Sequence, residues 1–315
     1  METKPIRRAP GVALITGAHG TIGRVLARHL ATQGWQVAGT GHGQWHPDEA
    51  RAWGVALWQT GELDLPGLRR LAIEPQLVVH CAGSGVVGAS LTAPYVDFQR
   101  TVDSTAAVLE YLRADHPRAT LVLPSSAAVY GVADTLPMAE DSPLRPASPY
   151  GVHKKIAEEL VCEHAARYGL DAAIVRLFSV YGEGFRKQLL WDACRRIRAN
   201  ETLFFGSGAE TRDWLHVTDA AALLETAAAH AAPRCPIVNG GCGAPVTVRA
   251  VVQELFRLLG RSDEPTFCGT QRPGDPLHYH ADMRKAHAWG WRARVGWREG
   301  LARYVAWFQQ QRDLA

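Results

Sequence analysis

Val12-Ala13-Leu14-Ile15-Thr16-Gly17-Ala18-His19-Gly20-Thr21-Ile22-Gly23 decides how this chain is read. The first five residues form a short apolar run with the length and composition of a buried strand. The glycines after it predict a turn into a helix. Gly17 lets the chain turn tightly, Gly20 lets backbone approach a ligand, and Gly23 lets helix and strand pack closely. Free N–H groups at the helix start, around Thr21 and Ile22, then face an anion such as the pyrophosphate of a dinucleotide. Glycines alone carry little weight in a chain with 30 of them. The strand–loop–helix context carries the argument.

Outward from that loop, short apolar runs alternate with helix-period segments. Strands are predicted at 12–16, 36–39, 55–58, 77–80, 120–123 and 172–177, and helices at 22–33, 66–72, 94–114 and 149–168. Such an alternation predicts an α/β fold: a Rossmann, doubly wound parallel sheet with a ligand crevice at the strands' carboxyl ends. After Tyr181 the rhythm loosens, with helices predicted at 188–199, 218–231 and 248–259. Residues 1–178 are therefore expected to form the dinucleotide-binding domain, with return segments near 213–240 and 276–288. Residues 179–315 mainly form a smaller mixed α/β C-terminal substrate lobe.

A chain of 315 residues, 47% hydrophobic, can bury one large core or two unequal lobes. The net charge is only +3 and its basic residues are scattered, so neither nucleic acid nor a membrane surface is an expected partner. Residues 1–11 lack the apolar centre of a secretory signal, and no run reaches the ~20 apolar residues of a membrane span. The cysteines (81, 162, 194, 235, 242 and 268) include no C-x-x-C pair, which points to a reducing cytoplasm. His278 and His280 lack a carboxylate or cysteine at ligand spacing, so no metal is expected.

Past the second strand, Gly39-Thr40-Gly41-His42-Gly43 holds neither the acid that reads a ribose 2′-OH nor an arginine. His42 is the candidate there, for a ribose hydroxyl or a 2′-phosphate; it reads equally as an exposed loop histidine. NAD is the expected cofactor and NADP stays open. Tyr150-Gly151-Val152-His153-Lys154 places a phenol and an ammonium on one helix face. A phenol working as a base near neutrality needs its pKa lowered by roughly three units, or ~4 kcal/mol. A neighbouring lysine cation shifts it in that direction. Ser125-Ser126 follow a strand and can offer a hydroxyl to the reacting oxygen.

With the glycine loop, these residues resemble the extended short-chain dehydrogenase/reductases, in particular the nucleotide-sugar branch of the NAD-dependent epimerase/dehydratases typified by UDP-galactose 4-epimerase. Ser126-Ala127-Ala128-Val129-Tyr130-Gly131 is similar to the family's Ser-x-x-x-Tyr-Gly segment, which makes Ser126 the catalytic serine beside Tyr150 and Lys154. His80-Cys81-Ala82-Gly83 resembles a strand end beside the cofactor, and Gly61-Glu62-Leu63-Asp64 the segment that meets adenine. Arg176-Leu177-Phe178-Ser179-Val180-Tyr181-Gly182 resembles the link between nicotinamide and sugar sites, with Ser179 where the family has asparagine. Arg212 and Arg272, from two arginine motifs, are the implied clamp on a nucleotide diphosphate, a role that suits a guanidinium fork. Gln188, Phe205 and Tyr279 complete the implied substrate set. Phe205 stands for a base-stacking ring or a core ring, and Tyr279 for a wall beside the sugar's C2 substituent. A homodimer through helices 94–114 and 149–168 is also implied.

The resemblance implies a nucleotide-sugar 4-epimerase working through a transient 4-keto sugar, with Tyr150 as acid and base. A 4,6-dehydratase has an Asp-Glu pair directly after the catalytic serine, and Ala127 and Ala128 cannot move a proton. The remaining rival is an NAD(P)H-dependent 4-keto-sugar nucleotide reductase, which uses the same triad once.

Overall fold

Alternate residues of the first strands split between two cores. Ile15, Val79, Val122 and Val175 face one way, and Leu14, Val78, Leu121 and Ile174 the other. A sheet apolar on both faces must be covered on both, which is the condition for a parallel sheet. The computed structural model describes residues 11–270 and 277–311. In it β1 (Val12–Thr16), β2 (Gln36–Gly41), β3 (Val55–Thr60), β4 (Pro75–His80), β5 (Thr120–Ser126) and β6 (Ala172–Leu177) pair in parallel. Beyond them lie β7 (Ser179–Tyr181), β8 (Leu203–Phe204), β9 (Thr211–His216), β10 (Ile237–Gly240), β11 (Pro245–Thr247) and β12 (Thr266–Phe267). The seven-stranded sheet has the order β10-β6-β5-β4-β1-β2-β3, so the order of strand addition reverses between β1 and β4 and opens a crevice at their carboxyl ends. A three-stranded sheet β11-β9-β7 and the pair β12-β8 lie outside it.

Helices α1 (Thr21–Thr32), α2 (Pro47–Ala52), α3 (Leu65–Arg69), α4 (Val87–Thr92), α5 (Pro94–Phe98), α6 (Ser104–Asp115) and α7 (Pro149–Tyr168) accompany the first six strands. They are followed by α8 (Gln188–Arg198), α9 (Val217–Ala229), α10 (Val248–Leu258), α11 (Arg284–Ala288) and α12 (Trp297–Gln309). Leu26 and Leu30 of α1 join Leu223, Leu224 and Ala227 of α9 on one face of the main sheet. Val108 and Leu112 of α6 join Ala157 and Val161 of α7 on the other. A third core holds α8, α10 and α12 around Tyr181, Phe185 and Trp214.

The helix predicted at 94–114 is broken. Gln99–Asp103 forms a π-turn between α5 and α6. There Ser104 Oγ donates to the Arg100 carbonyl at 2.6 Å and Thr105 Oγ1 to the Thr101 carbonyl at 2.6 Å. Hydroxyls that back-bond in this way loosen the regular ladder. Helix α12 was not expected, yet Leu301, Tyr304, Val305 and Phe308 are buried at helical spacing.

Candidate active site

Helix α7 carries Tyr150 and Lys154, and its local signals are clear. Ser148 accepts a hydrogen bond from Gly151 N at 3.2 Å, Pro149 follows as the first helical residue, and Gly169 ends the helix at φ 72°. Two contacts set its position. Arg176 of β6 grips Glu158 through Nε at 3.1 Å and Nη2 at 2.8 Å, with both side chains 3% exposed. At the N-terminal end, Tyr150 N donates to Ser90 Oγ at 3.1 Å.

The glycine loop has the tightness its sequence predicts. Gly17 sits at φ 69°, and a Cβ there would lie 2.7 Å from Ala82 N; one on Gly23 would lie 2.4 Å from the Gly17 carbonyl oxygen. Any side chain at either position would push the loop away from the sheet. Helix α1 opens after Gly20 with no side-chain cap and no acid in its first turn, so its leading N–H groups suit an anion. This cradle fits a dinucleotide's pyrophosphate. Thr21 Oγ1 donates to the Gly184 carbonyl at 3.2 Å, and Gln188 Nε2 to the Gly85 carbonyl at 3.3 Å. The segment between Gly184 and Gln188 thus reaches from the glycine loop to the strand end of β4.

At the end of β2, His42 is exposed, as is Glu62 beyond β3, while Leu63 packs against the core that contains Leu14 and Val78. Sequence reasoning missed the aromatic group beside them. The Trp45 ring lies 5.0 Å from His19 and 5.3 Å from Trp58, and the Arg24 guanidinium stands 5.4 Å from the Trp45 ring. No spacing rule connects these residues; the β1–β2 neighbourhood brings them together.

From β4, His80 is buried within one hydrogen-bond chain. Ala82 N donates to Thr16 Oγ1 at 3.3 Å, Thr16 Oγ1 lies 2.7 Å from His80 Nδ1, and His80 Nε2 lies 3.3 Å from Ser104 Oγ. Since Ser104 donates onward to Arg100, the pattern assigns the proton to Nε2. Burial, with the Lys154 charge adding to it, lowers the His80 pKa to about 3. An unfolded histidine titrates near 6.5, so the stability due to a neutral His80 is intact above that pH. It is lost as pH falls from there toward about 3, at about 1.4 kcal/mol per pH unit. Denaturant midpoints measured between neutral and acid pH should show this slope, and His80→Gln should flatten it. An equal slope in both proteins would remove His80 as its source.

Cys81, Ala82 and Gly83 continue from β4. Burial pushes the Cys81 thiol up to about 12. Gly83 lies at φ 137°, and a Cβ there would be 3.8 Å from Lys154 Nζ. The β4 end and α7 therefore meet. Lys154, only 6% exposed, donates to the Pro124 carbonyl at 3.1 Å, and burial holds its pKa below the ordinary lysine value. Ser126, at the end of β5, accepts from Ala128 N at 3.2 Å, and its hydroxyl favours the ionised form of the Tyr150 phenol.

One expectation is corrected here. The protein alone raises the pKa of Tyr150 rather than lowering it. Burial is the main cause, the Asp97 carboxylate adds to it, and the Ser126 hydrogen bond opposes it. The Lys154 ammonium is committed to a carbonyl, and the phenolate would lose more hydration than that charge returns.

On the far side of the crevice, Phe178 is buried with its ring 5.3 Å from that of Tyr279, itself 8% exposed. Ser179 opens β7. Arg212 lies on β9, where its Nη1 donates to the Thr211 carbonyl at 2.9 Å and to the Leu277 carbonyl at 3.4 Å. Phe205 is half exposed rather than a core ring. Arg272 lies outside the described residues. Asp213, beside Arg212, is fully buried and accepts from Cys242 N, Gly243 N and Ala281 N at 2.5, 2.9 and 3.0 Å. It ties β9 to two later segments, and no arginine among the described residues forms an ion pair with it.

Fold and site together define a Rossmann-type dinucleotide enzyme. The profile of the NAD dependent epimerase/dehydratase family matches residues 13–240, more than half of the chain. The UDP-glucose 4-epimerase of Streptomyces lividans is 29% identical over 316 residues, covering 93% of this chain and 92% of that protein. The UDP-glucuronate 4-epimerase of Thermodesulfobacterium geofontis is 27% identical, covering 96% and 98%. The solved structure of MoeE5 in complex with UDP-glucuronic acid and NAD superposes with a TM-score of 0.84 at 31% identity, covering 95% of this chain and 99% of that one. The chain belongs to the NAD dependent epimerase/dehydratase family. No helix among the described residues is long and apolar enough to cross a membrane.

Proposed function

We propose that the protein interconverts C4 epimers of a UDP-sugar, a hexose or a hexuronate, through a 4-keto intermediate, with its nicotinamide cofactor retained throughout. The observation that carries this reading is the meeting of α7 with the ends of β4 and β5, where Lys154 donates to the Pro124 carbonyl one helical turn from Tyr150, with the glycine cradle alongside. The dinucleotide supplies the hydride acceptor and donor when bound. Gly17, Gly20, Thr21, Ile22 and Gly23 would hold its pyrophosphate, and His42, Glu62 and Leu63 its adenosine. Cys81, Ala82, Gly83 and Phe178 would line its nicotinamide half.

Tyr150 takes the proton of the sugar 4-OH and later returns it. Ser126 holds the reacting oxygen, and Lys154 keeps N–H groups for the nicotinamide ribose. Ser179, Gln188, Phe205, Arg212 and Arg272 anchor the nucleotide diphosphate, with Tyr279 walling the sugar. A firm anchor with few sugar contacts lets the keto sugar turn over between hydride steps.

The relatives' names support epimerisation over 4-keto-sugar reduction, and Ala127 and Ala128 offer no acid or base for dehydration. The same reading has residues 1–178, with the later return segments, bind the cofactor and the remainder bind the sugar nucleotide. It includes a homodimer through the segments 94–114 and 149–168, where Tyr95, Val96 and Val152 are exposed, and a cytoplasmic setting. The test is incubation with UDP-glucose, UDP-galactose or UDP-glucuronate, followed by proton NMR. C4 epimers without net change in nicotinamide absorbance are expected. Stoichiometric consumption of NADPH by a 4-keto nucleotide sugar, with no epimer formed, would overturn the proposal.

A further inference from the structure

Between Tyr150 and Lys154 on α7 stands His153, whose Nδ1 lies 2.6 Å from Asp97 Oδ2 of α5. Asp97 is 3% exposed and the His153 side chain 12%. The second carboxylate oxygen, Asp97 Oδ1, is buried and has no hydrogen-bond partner among the described residues. An under-bonded buried carboxylate is costly, and the Phe98 ring, 5.5 Å from that of His153, helps to exclude water. The charge is felt at both neighbours on the catalytic helix, where it favours the neutral phenol at Tyr150 and the ammonium at Lys154.

We propose that Asp97 and His153 form a positioning pair for Tyr150 and Lys154, which locks α5 to the catalytic helix and lays one carboxylate charge beside both groups. The effect is to keep Tyr150 a proton donor until a ligand's positive charge reaches the crevice. The inference rests on the proposed function for its meaning but not for its test.

The other groups around the site leave Asp97 as the charge that matters. From β4, His80 is neutral and the Cys81 thiol protonated near neutrality. From β5 comes the Ser126 hydroxyl, and α4 carries no titratable side chain. Arg100 and Asp103 of the π-turn are exposed, as is Tyr95 of α5. On α7 itself Glu158 is neutralised by Arg176 of β6, and on α6 Glu110 pairs with Arg113.

Tyrosine labelled at Cζ with a heavy carbon isotope reports each phenol's ionisation by NMR, and Tyr150→Phe identifies the Tyr150 signal. The full chain is titrated without and with NAD. In Asp97→Asn the Tyr150 midpoint should fall by about one pH unit, the size expected for one nearby charge removed. Asp97→Glu and His153→Gln keep a carboxylate and should leave the midpoint near that of the wild type. An unchanged midpoint in Asp97→Asn overturns the proposal. So does an equal fall in His153→Gln, since that would mark disturbed packing rather than a lost charge. If Asp97→Asn does not fold, Asp97→Ser is titrated with the same expectation. The titration without NAD needs no substrate, so failure to epimerise a sugar leaves it intact. Failure to bind NAD would count against the proposed function alone.

Discussion

Tyr150→Phe should lower turnover at least ~100-fold while leaving NAD affinity nearly unchanged. The phenyl ring keeps the shape of the side chain and its place on α7, so the change removes one hydroxyl and little else. Without it, no phenol takes up or returns the proton of the reacting oxygen. Lys154 stays on the Pro124 carbonyl and the glycine cradle is untouched, so the cofactor should still bind. Because the lost interaction belongs to the transition state, kcat should fall far more than KM rises. Initial rates with a UDP-sugar and a separate NAD titration by tryptophan fluorescence check both halves. Near-normal turnover would remove Tyr150 from the proton transfer.

The largest stability loss is expected from Glu158→Ala. The carboxylate is the partner of a guanidinium buried to the same degree, and Arg176 has further contacts at the Tyr130 hydroxyl (3.0 Å) and the Glu140 carbonyl (2.8 Å). Removing Glu158 leaves the cation buried with two neutral acceptors. Breaking such a pair costs about 3–5 kcal/mol. The Arg176→Met, Glu158→Leu double variant should recover much of that loss, since it removes both charges and fills the space. Denaturant unfolding at neutral pH measures each. A loss below about 1 kcal/mol in Glu158→Ala, the range of an exposed pair, would mean that water reaches Arg176. The pair also joins α7 to β6, so Glu158→Ala should lower activity as well, through the placement of Tyr150 and Lys154.

The Rossmann half was legible because its signals are local. The apolar run from Val12 to Thr16 buries one strand on both faces, and Gly17 and Gly23 stand where a Cβ would strike backbone. The Tyr150–Lys154 spacing could be read as one helix face because Ser148, Pro149 and Gly169 bound that helix. The π-turn at Gln99–Asp103 was missed because residues 94–114 keep helical periodicity through it. Only the back-bonding of Ser104 and Thr105 marks the break. Helix α12 was missed although its apolar spacing was present. The short β10 joins the main sheet only because β6 is there to pair with it.

Sequence by itself therefore determined the dinucleotide fold, the glycine cradle and the identity of Ser126, Tyr150 and Lys154 as one candidate set. The fold, the cradle and the Tyr150–Lys154 spacing depend on order along a single strand, loop or helix, and the choice of Ser126 on the family resemblance. Tertiary structure alone decided the electrostatics of that set. It placed Asp97 of α5 against His153, put Lys154 on the Pro124 carbonyl, and brought His19, Trp45 and Trp58 to the end of β2. It also reversed the expected shift of Tyr150, because lost hydration depends on every surrounding atom and no motif encodes it.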